Sequence, residues 1–235
     1  MLLIRNANIV GRGMSDILIG DDGKYLEIKP EIRAEGIENC EVIDARGMLA
    51  APTFVNTHMH FDKAYTALQG RESSVETLED SIHIMHDFKR HYTVEEVKAR
   101  AERAIRECVM FGTTKLRTNV DIDNMANLVG LEGVLAAKEA TKDICDLQVI
   151  AFPQEGIYAN EGTEKLMWEA MEMGCDIAGG MPAAEWLPEL ARKHVDLVFE
   201  IAEKYNVPID MHIDQSKDMF DRSLEYTAWL TLQKG

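Results

Sequence analysis

The sequence predicts an α/β protein: a short β-rich module, then about five strand–helix units sharing one parallel sheet. Three observations carry that expectation. Short β-prone runs separated by turn signals fill the first fifty residues. From about Met48, apolar runs alternate with amphipathic helical stretches. Strand starts at residues 115, 146, 176 and 208 recur every 30 to 32 residues, the size of one βα unit.

The first module, residues 1–50, contains Leu2-Leu3-Ile4, Ile9-Val10, Ile17-Leu18-Ile19, Tyr25 to Ile28 and Val42-Ile43. Asn6-Ala7-Asn8, Gly11-Arg12-Gly13 and Asp21-Asp22-Gly23 punctuate it as turns. It is too thin to hold a core alone. Residues 51–235 then supply candidate strands at Pro52–His60, Lys115–Asp121, Asp146–Pro153, Asp176–Met181 and Pro208–Ile213. Helices are expected over Val94–Met110, Met125–Ala140, Glu164–Met173 and His194–Tyr205. In the first of these, Val94, Val97, Ala101, Ile105 and Val109 share one face. Gly112, Gly174 and Asn206 stand where helices close. An insertion from about Ala64 to Tyr92 is expected to carry its own short helix, and a further helix should follow the fifth strand. Near-continuous apolar strands such as Leu147 to Phe152 suit a parallel sheet covered on both faces. A doubly wound sheet and a (β/α) barrel both fit this pattern.

Composition narrows the function. Of 235 residues, 46% are apolar and 28% charged, enough for a sizeable core. A formal charge of −16 repels nucleic acid and anionic lipid, so neither is expected as a partner. Cys40, Cys108, Cys145 and Cys175 are scattered without a CxxC pair and read as reduced thiols. No basic amino-terminal segment leads into a long apolar run, and no stretch nears the ~20 apolar residues of a membrane span, so a cytoplasmic protein is expected. Phosphate-cradling glycine loops and the GxSxG elbow are absent from the sequence.

Polar residues gather where strands end: His58, His60, Asn119, Asp121, Gln154, Glu155 and His212. Ligand and catalytic groups collect at that rim in both architectures. His58 and His60 lie two apart on a strand and so point to the same side, offering two imidazoles to one ion. His212 ends a later apolar strand and can add a third nitrogen, which makes a metal site the better reading of the set. His83 and His86 are one helical turn apart beside Asp87 and read as a solvated helix face. Glu185-Trp186 follows the fourth strand at the rim, with Trp186 read as core.

The run Ile43-Asp44-Ala45-Arg46-Gly47-Met48 through Pro52-Thr53-Phe54-Val55-Asn56-Thr57-His58-Met59-His60 resembles the amidohydrolase superfamily, with Thr53 where glycine is usual. Asp146 through Phe152-Pro153-Gln154-Glu155-Gly156-Ile157 is similar to the cytosine deaminase branch, as are Arg117 to Asp121 and Ile209-Asp210-Met211-His212. The resemblance covers nearly the whole chain. It implies a (β/α)₈ TIM-type barrel, present here as about five units, beside part of a small β-sandwich. It also implies one divalent ion, zinc or iron, held by His58, His60 and His212, that activates water toward a C–N bond of a small nitrogen heterocycle. Gln154 would then hydrogen-bond the lactam edge of the ring, for which an amide has one donor and one acceptor to offer.

Two departures shape the expectation. Cytosine deaminases carry a proton-shuttling glutamate where this chain has Gln215, which cannot titrate; neighbouring Asp214 would face the other way. Lys63 resembles instead the related N-isopropylammelide hydrolases and is a candidate acid or substrate clamp. The family also needs a histidine after the sixth strand and an aspartate after the eighth, so this chain reads as the amino-terminal part of a longer enzyme. The expected partner is a small heterocycle, with a homo-oligomer open. Hydrolysis of an N-substituted amino-triazine is the rival enzymatic reading, and a non-catalytic remnant the rival from another class.

Overall fold

The computed structural model describes residues 1–33, 39–69, 78–215 and 221–234. The chain divides into two compact units, Met1–Thr53 and Phe54–Gly235.

The first unit is a five-stranded sheet of β1 (Leu2–Ile9), β2 (Gly13–Ile19), β3 (Tyr25–Lys29), β4 (Glu41–Asp44) and β5 (Leu49–Ala50). Strands run in the order β3-β2-β1-β4, with β5 also on β1; the two hairpins are antiparallel, and β4 and β5 run parallel to β1. Gly11 and Gly13 close the first hairpin at φ +76° and +79°, a left-handed backbone that glycine adopts without a Cβ penalty. The buried carboxylate of Asp16 accepts the N–H of Asn6 and that of Ile32, both at 2.9 Å, which ties the chain after β3 back onto the hairpin. Leu3, Leu18 and Ile32 pack together in one cluster, Ala7, Ile17 and Ala45 in another.

The second unit is wound from β6 (Phe54–Met59), β7 (Thr113–Asp121), β8 (Asp146–Phe152), β9 (Ile177–Gly180) and β10 (Ile209–Met211), with helices α1 (Leu78–Lys89), α2 (Val94–Met110), α3 (Val129–Thr141), α4 (Thr163–Glu172), α5 (Pro188–Tyr205) and α6 (Ser223–Lys234). All neighbouring strands are parallel, and their order in the sheet is their order in the chain. A doubly wound sheet reverses its order at a switch point; this one does not. The sheet is a curled half-barrel of five strands.

Local chemistry explains the boundaries. α2 spans the predicted residues; the Thr93 hydroxyl accepts the Glu96 N–H at 3.2 Å at its start, and Val97, Ala101 and Ile105 are buried on one face. A Cβ at Gly133 would sit 2.6 Å from the Val97 Cβ, so α3 lies close against α2 through that glycine. α3 starts at Val129 rather than Met125 because Asp123 Oδ1 accepts the N–H groups of Met125 and Ala126 and holds them in a turn. α5 starts six residues earlier than expected, with Pro188 in its first turn, where the missing N–H costs nothing. Trp186, just before it, is 78% exposed and is not core.

The insertion carries α1, preceded by 3₁₀ turns at Phe61–Lys63 and Thr66–Gln69; its residues 70–77 lie outside the described residues. The edge strand β6 leaves Phe54 and Val55 exposed. All four cysteines are free, and burial pushes the Cys175 thiol up to about 12. Among the described residues, no helix is long and apolar enough to cross a membrane.

Candidate metal centre

The curl decides what meets at the rim. β6 and β10 are opposite edges of the sheet, and four strand spacings in a flat sheet would part them by roughly 19 Å. Instead the ring centroids of His58 and His212 are 4.9 Å apart, those of His58 and His60 5.2 Å, and those of His60 and His212 6.1 Å. One ring nitrogen from each of the three lies within 4.8 Å of the others. The three strand-end histidines singled out in the sequence are therefore together, and Phe152 packs against His60 and His212 beneath them.

Two of the three imidazoles have a side-chain holder. Asn119 Nδ2 meets His58 Nδ1 at 3.3 Å, and the Gln215 amide hydrogen-bonds His212. His60 Nδ1 is buried with no hydrogen-bond partner among the described residues. Burial first, and Lys63 second, lower the His60 pKa to about 4; burial and the neighbouring His58 lower that of His212. The neutral imidazoles that result at pH 7 are the form a metal requires. An orphaned buried nitrogen among three converging imidazoles fits a borderline transition-metal ion.

Beside the histidines is a knot of charge. Lys63 Nζ, 19% exposed, lies 2.7 Å from Asp121 Oδ1 and 3.5 Å from Gln154 Oε1. Lys89, at the end of α1 and 1% exposed, sets its ammonium against Asp121 Oδ2, Asp123 Oδ2 at 2.8 Å and Glu155 Oε1 at 3.2 Å. His86 Nε2 is 3.0 Å from the same Glu155 oxygen, so it is not part of a solvated helix face. Burial would lower the Lys89 pKa, but Asp121, Asp123 and Glu155 outweigh it and raise it. Burial would raise the Asp121 pKa, and Lys63 and Lys89 overcome that to lower it. Asp62 is raised by burial and by Asp121; its Oδ2 accepts the Asp121 N–H at 3.2 Å.

Sequence reasoning placed Gln154 at the rim and singled out Lys63 by resemblance but gave no sign of Lys89, whose partners are 32 to 66 residues away. It also missed His194 and its link to Glu185. The Met181 N–H donates to His194 Nε2 at 3.0 Å, which leaves the Nδ1 proton to Glu185 Oε1 at 2.7 Å. Glu185 also accepts the N–H groups of Ile157, Tyr158 and Ala159 at 2.7, 3.1 and 2.8 Å. Asp214 lies beyond the end of β10 in a bend at φ +53°, and its Oδ1 accepts the Leu224 N–H at 3.2 Å. Gln215 is exposed, and residues 216–220 beyond it lie outside the described residues.

No protein-family model matches the chain. N-isopropylammelide isopropyl amidohydrolase of a Pseudomonas species is 35% identical over 240 residues, across 100% of this chain and 58% of its own length. The crystal structure of 5-methylcytosine deaminase from Klebsiella pneumoniae, liganded with 5-fluorocytosine, superposes with a TM-score of 0.85 at 32% identity, over 97% of this chain and 55% of that one. N-isopropylammelide isopropylaminohydrolase from Burkholderia multivorans gives a TM-score of 0.85 at 30% identity, over 99% and 57%. The chain thus spans little more than half the length of these relatives. By sequence and by fold alike, it is a homologue of the metal-dependent deaminases and hydrolases of the amidohydrolase superfamily.

Proposed function

We propose that the protein is a metal-dependent aminohydrolase that cleaves a C–N bond on a cytosine-like nitrogen heterocycle. The observation that carries this is the convergence of His58, His60 and His212 from opposite edges of the curled sheet, with Gln154 and Lys63 beside them. In this reading residues 1–50 form part of a small β-sandwich and 51–235 the first five units of a (β/α)₈ barrel. The three histidines would hold one zinc or iron ion, which when bound supplies Lewis acidity and lowers the pKa of water. Four free cysteines suit the cytoplasm assigned to it.

The chain's own residues supply recognition. The Gln154 amide offers both a donor and an acceptor to a lactam edge, and a ring lacking that edge would leave the amide unpaired. Lys63 is tethered by Asp121, so its ammonium presents hydrogen-bond donors at a fixed place beside Gln154. Gln215 holds the His212 ring but cannot carry a proton between water and the leaving group.

That last point, with Lys63, favours a second substrate: an N-alkylated amino-triazine such as the N-isopropylammelide named in two relatives. The test is metal analysis of the full-length protein, with release of ammonia from cytosine and isocytosine measured against release of amine from N-isopropylammelide. Amine release with little ammonia selects the triazine; the reverse selects the pyrimidine. Turnover and metal content that survive His58→Ala would refute the assigned site. Gln215→Glu should raise cytosine deamination roughly 10²-fold, the lower end of the range of general acid–base catalysis.

A further inference from the structure

Below the histidines, the concave face of the sheet carries a polar bridge. Arg117 on β7 sets Nη1 2.8 Å from Asp210 Oδ2 on β10, while its Nε and Nη2 donate to Gln148 Oε1 on β8 at 3.1 and 2.9 Å. Three strand spacings separate β7 from β10, roughly 14 Å in a flat sheet. The contact is therefore a chord across the curl. The β9 residue paired with Asp210 is Gly179, which has no side chain to interpose. Asp210 stands two residues before His212, on the same face of its strand, and Arg117 stands two before Asn119, which holds His58.

We infer that the Arg117–Asp210 bridge, braced by Gln148, is a positioning device that fixes the curvature of the sheet and so aims His212 at His58 and His60. The inference rests on the metal-site reading above. Along its ladder β10 pairs with β9, and the bridge adds a tie across the curl to β7 and β8, upstream of His212. The charge of Asp210 also favours a cation at His212, so charge and geometry have to be separated. Asp210→Glu keeps the charge and lengthens the bridge by one methylene; Arg117→Lys keeps the charge and gives up the fork that spans both partners.

Co²⁺ binding to the purified protein, followed by calorimetry and by the cobalt absorption bands, tests this without turnover. Asp210→Glu, Arg117→Lys and Arg117→Met should each weaken Co²⁺ binding about 10- to 100-fold, the range for outer-shell changes. They should also shift the bands, while circular dichroism shows the fold retained. Lys115→Met, which breaks an exposed pair of the same kind with Asp146, should bind as the parent does. Parent-like affinity and spectra in the two charge-conserving variants would overturn the positioning role and leave the metal site standing. A parent protein that binds no Co²⁺ would overturn both.

Discussion

Two clusters at the rim of the half-barrel each bring three ligand-type atoms within 4.8 Å of one another: His58, His60 and His212, and Asp121, Asp123 and Glu155. By distance alone they are equivalent. They differ in what balances them. The carboxylate cluster already encloses a cation, the Lys89 ammonium, with Lys63 against one of its oxygens. Among the described residues no side-chain cation sits within the histidine cluster, and burial lowers the pKa values of His60 and His212. Convergence makes a ligand set possible; an unpaired buried nitrogen makes this one the candidate metal site. The first cluster is open to an ion and the second is closed by the protein's own lysine.

The largest effect should come from taking a member out of the open cluster. His212→Ala or His60→Ala should cost more than the 10- to 100-fold in metal affinity of outer-shell changes, read by competition with a chelator. Next is the closed cluster. Lys89→Ala strands buried carboxylates and should lose about 3–5 kcal/mol in urea unfolding. Added Mg²⁺ or Ca²⁺ should restore part of that loss in the variant and leave the parent unmoved; no cation-dependent rescue would mean that the two clusters differ in shape as well as charge.

Acid should act on the open cluster. The folded pKa values of His60 and His212 lie below the ordinary value of about 6.5, so the unfolded chain takes up protons that the folded one refuses. The stability they contribute is complete above about 6.5 and is lost as the pH falls toward 4, by up to about 1.4 kcal/mol per pH unit for each proton. His194 adds in the same direction, since burial lowers it too. A melting temperature flat between pH 7 and 5 would contradict this. Smallest of all, Lys115→Ala removes an exposed pair with Asp146 outside both clusters and should change stability by less than about 0.5 kcal/mol.

What could be read in advance divides along the same line. His58, His60 and His212 were legible because each ends an apolar strand, and period-two alternation plus parallel winding sends strand ends to one rim. α2 was legible to the residue from the apolar spacing of Val94, Val97, Ala101, Ile105 and Val109 and the closing Gly112. Lys89 was not, since a lysine in the last turn of a helix already has a reason to be there in the helix dipole. Its true partners are supplied by two strand ends that only folding brings near. Arg117 and Asp210 were hidden for the same reason, being 93 residues apart with nothing periodic to link them. The choice between a doubly wound and a barrel-type sheet needed strand order, which regular spacing does not encode.

The carboxylate of Glu185 has a consequence for motion. It grips three successive amides of the segment after β8 and one imidazole of α5. A connection held that way, with Ile157 buried, is not free to flap. Its amide protons should exchange with solvent as slowly as those of the central strands, released only when the unit opens as a whole. The segment that presents Gln154 and Glu155 is thus a fixed wall. Under the proposed function, this segment would not gate substrate entry or product release.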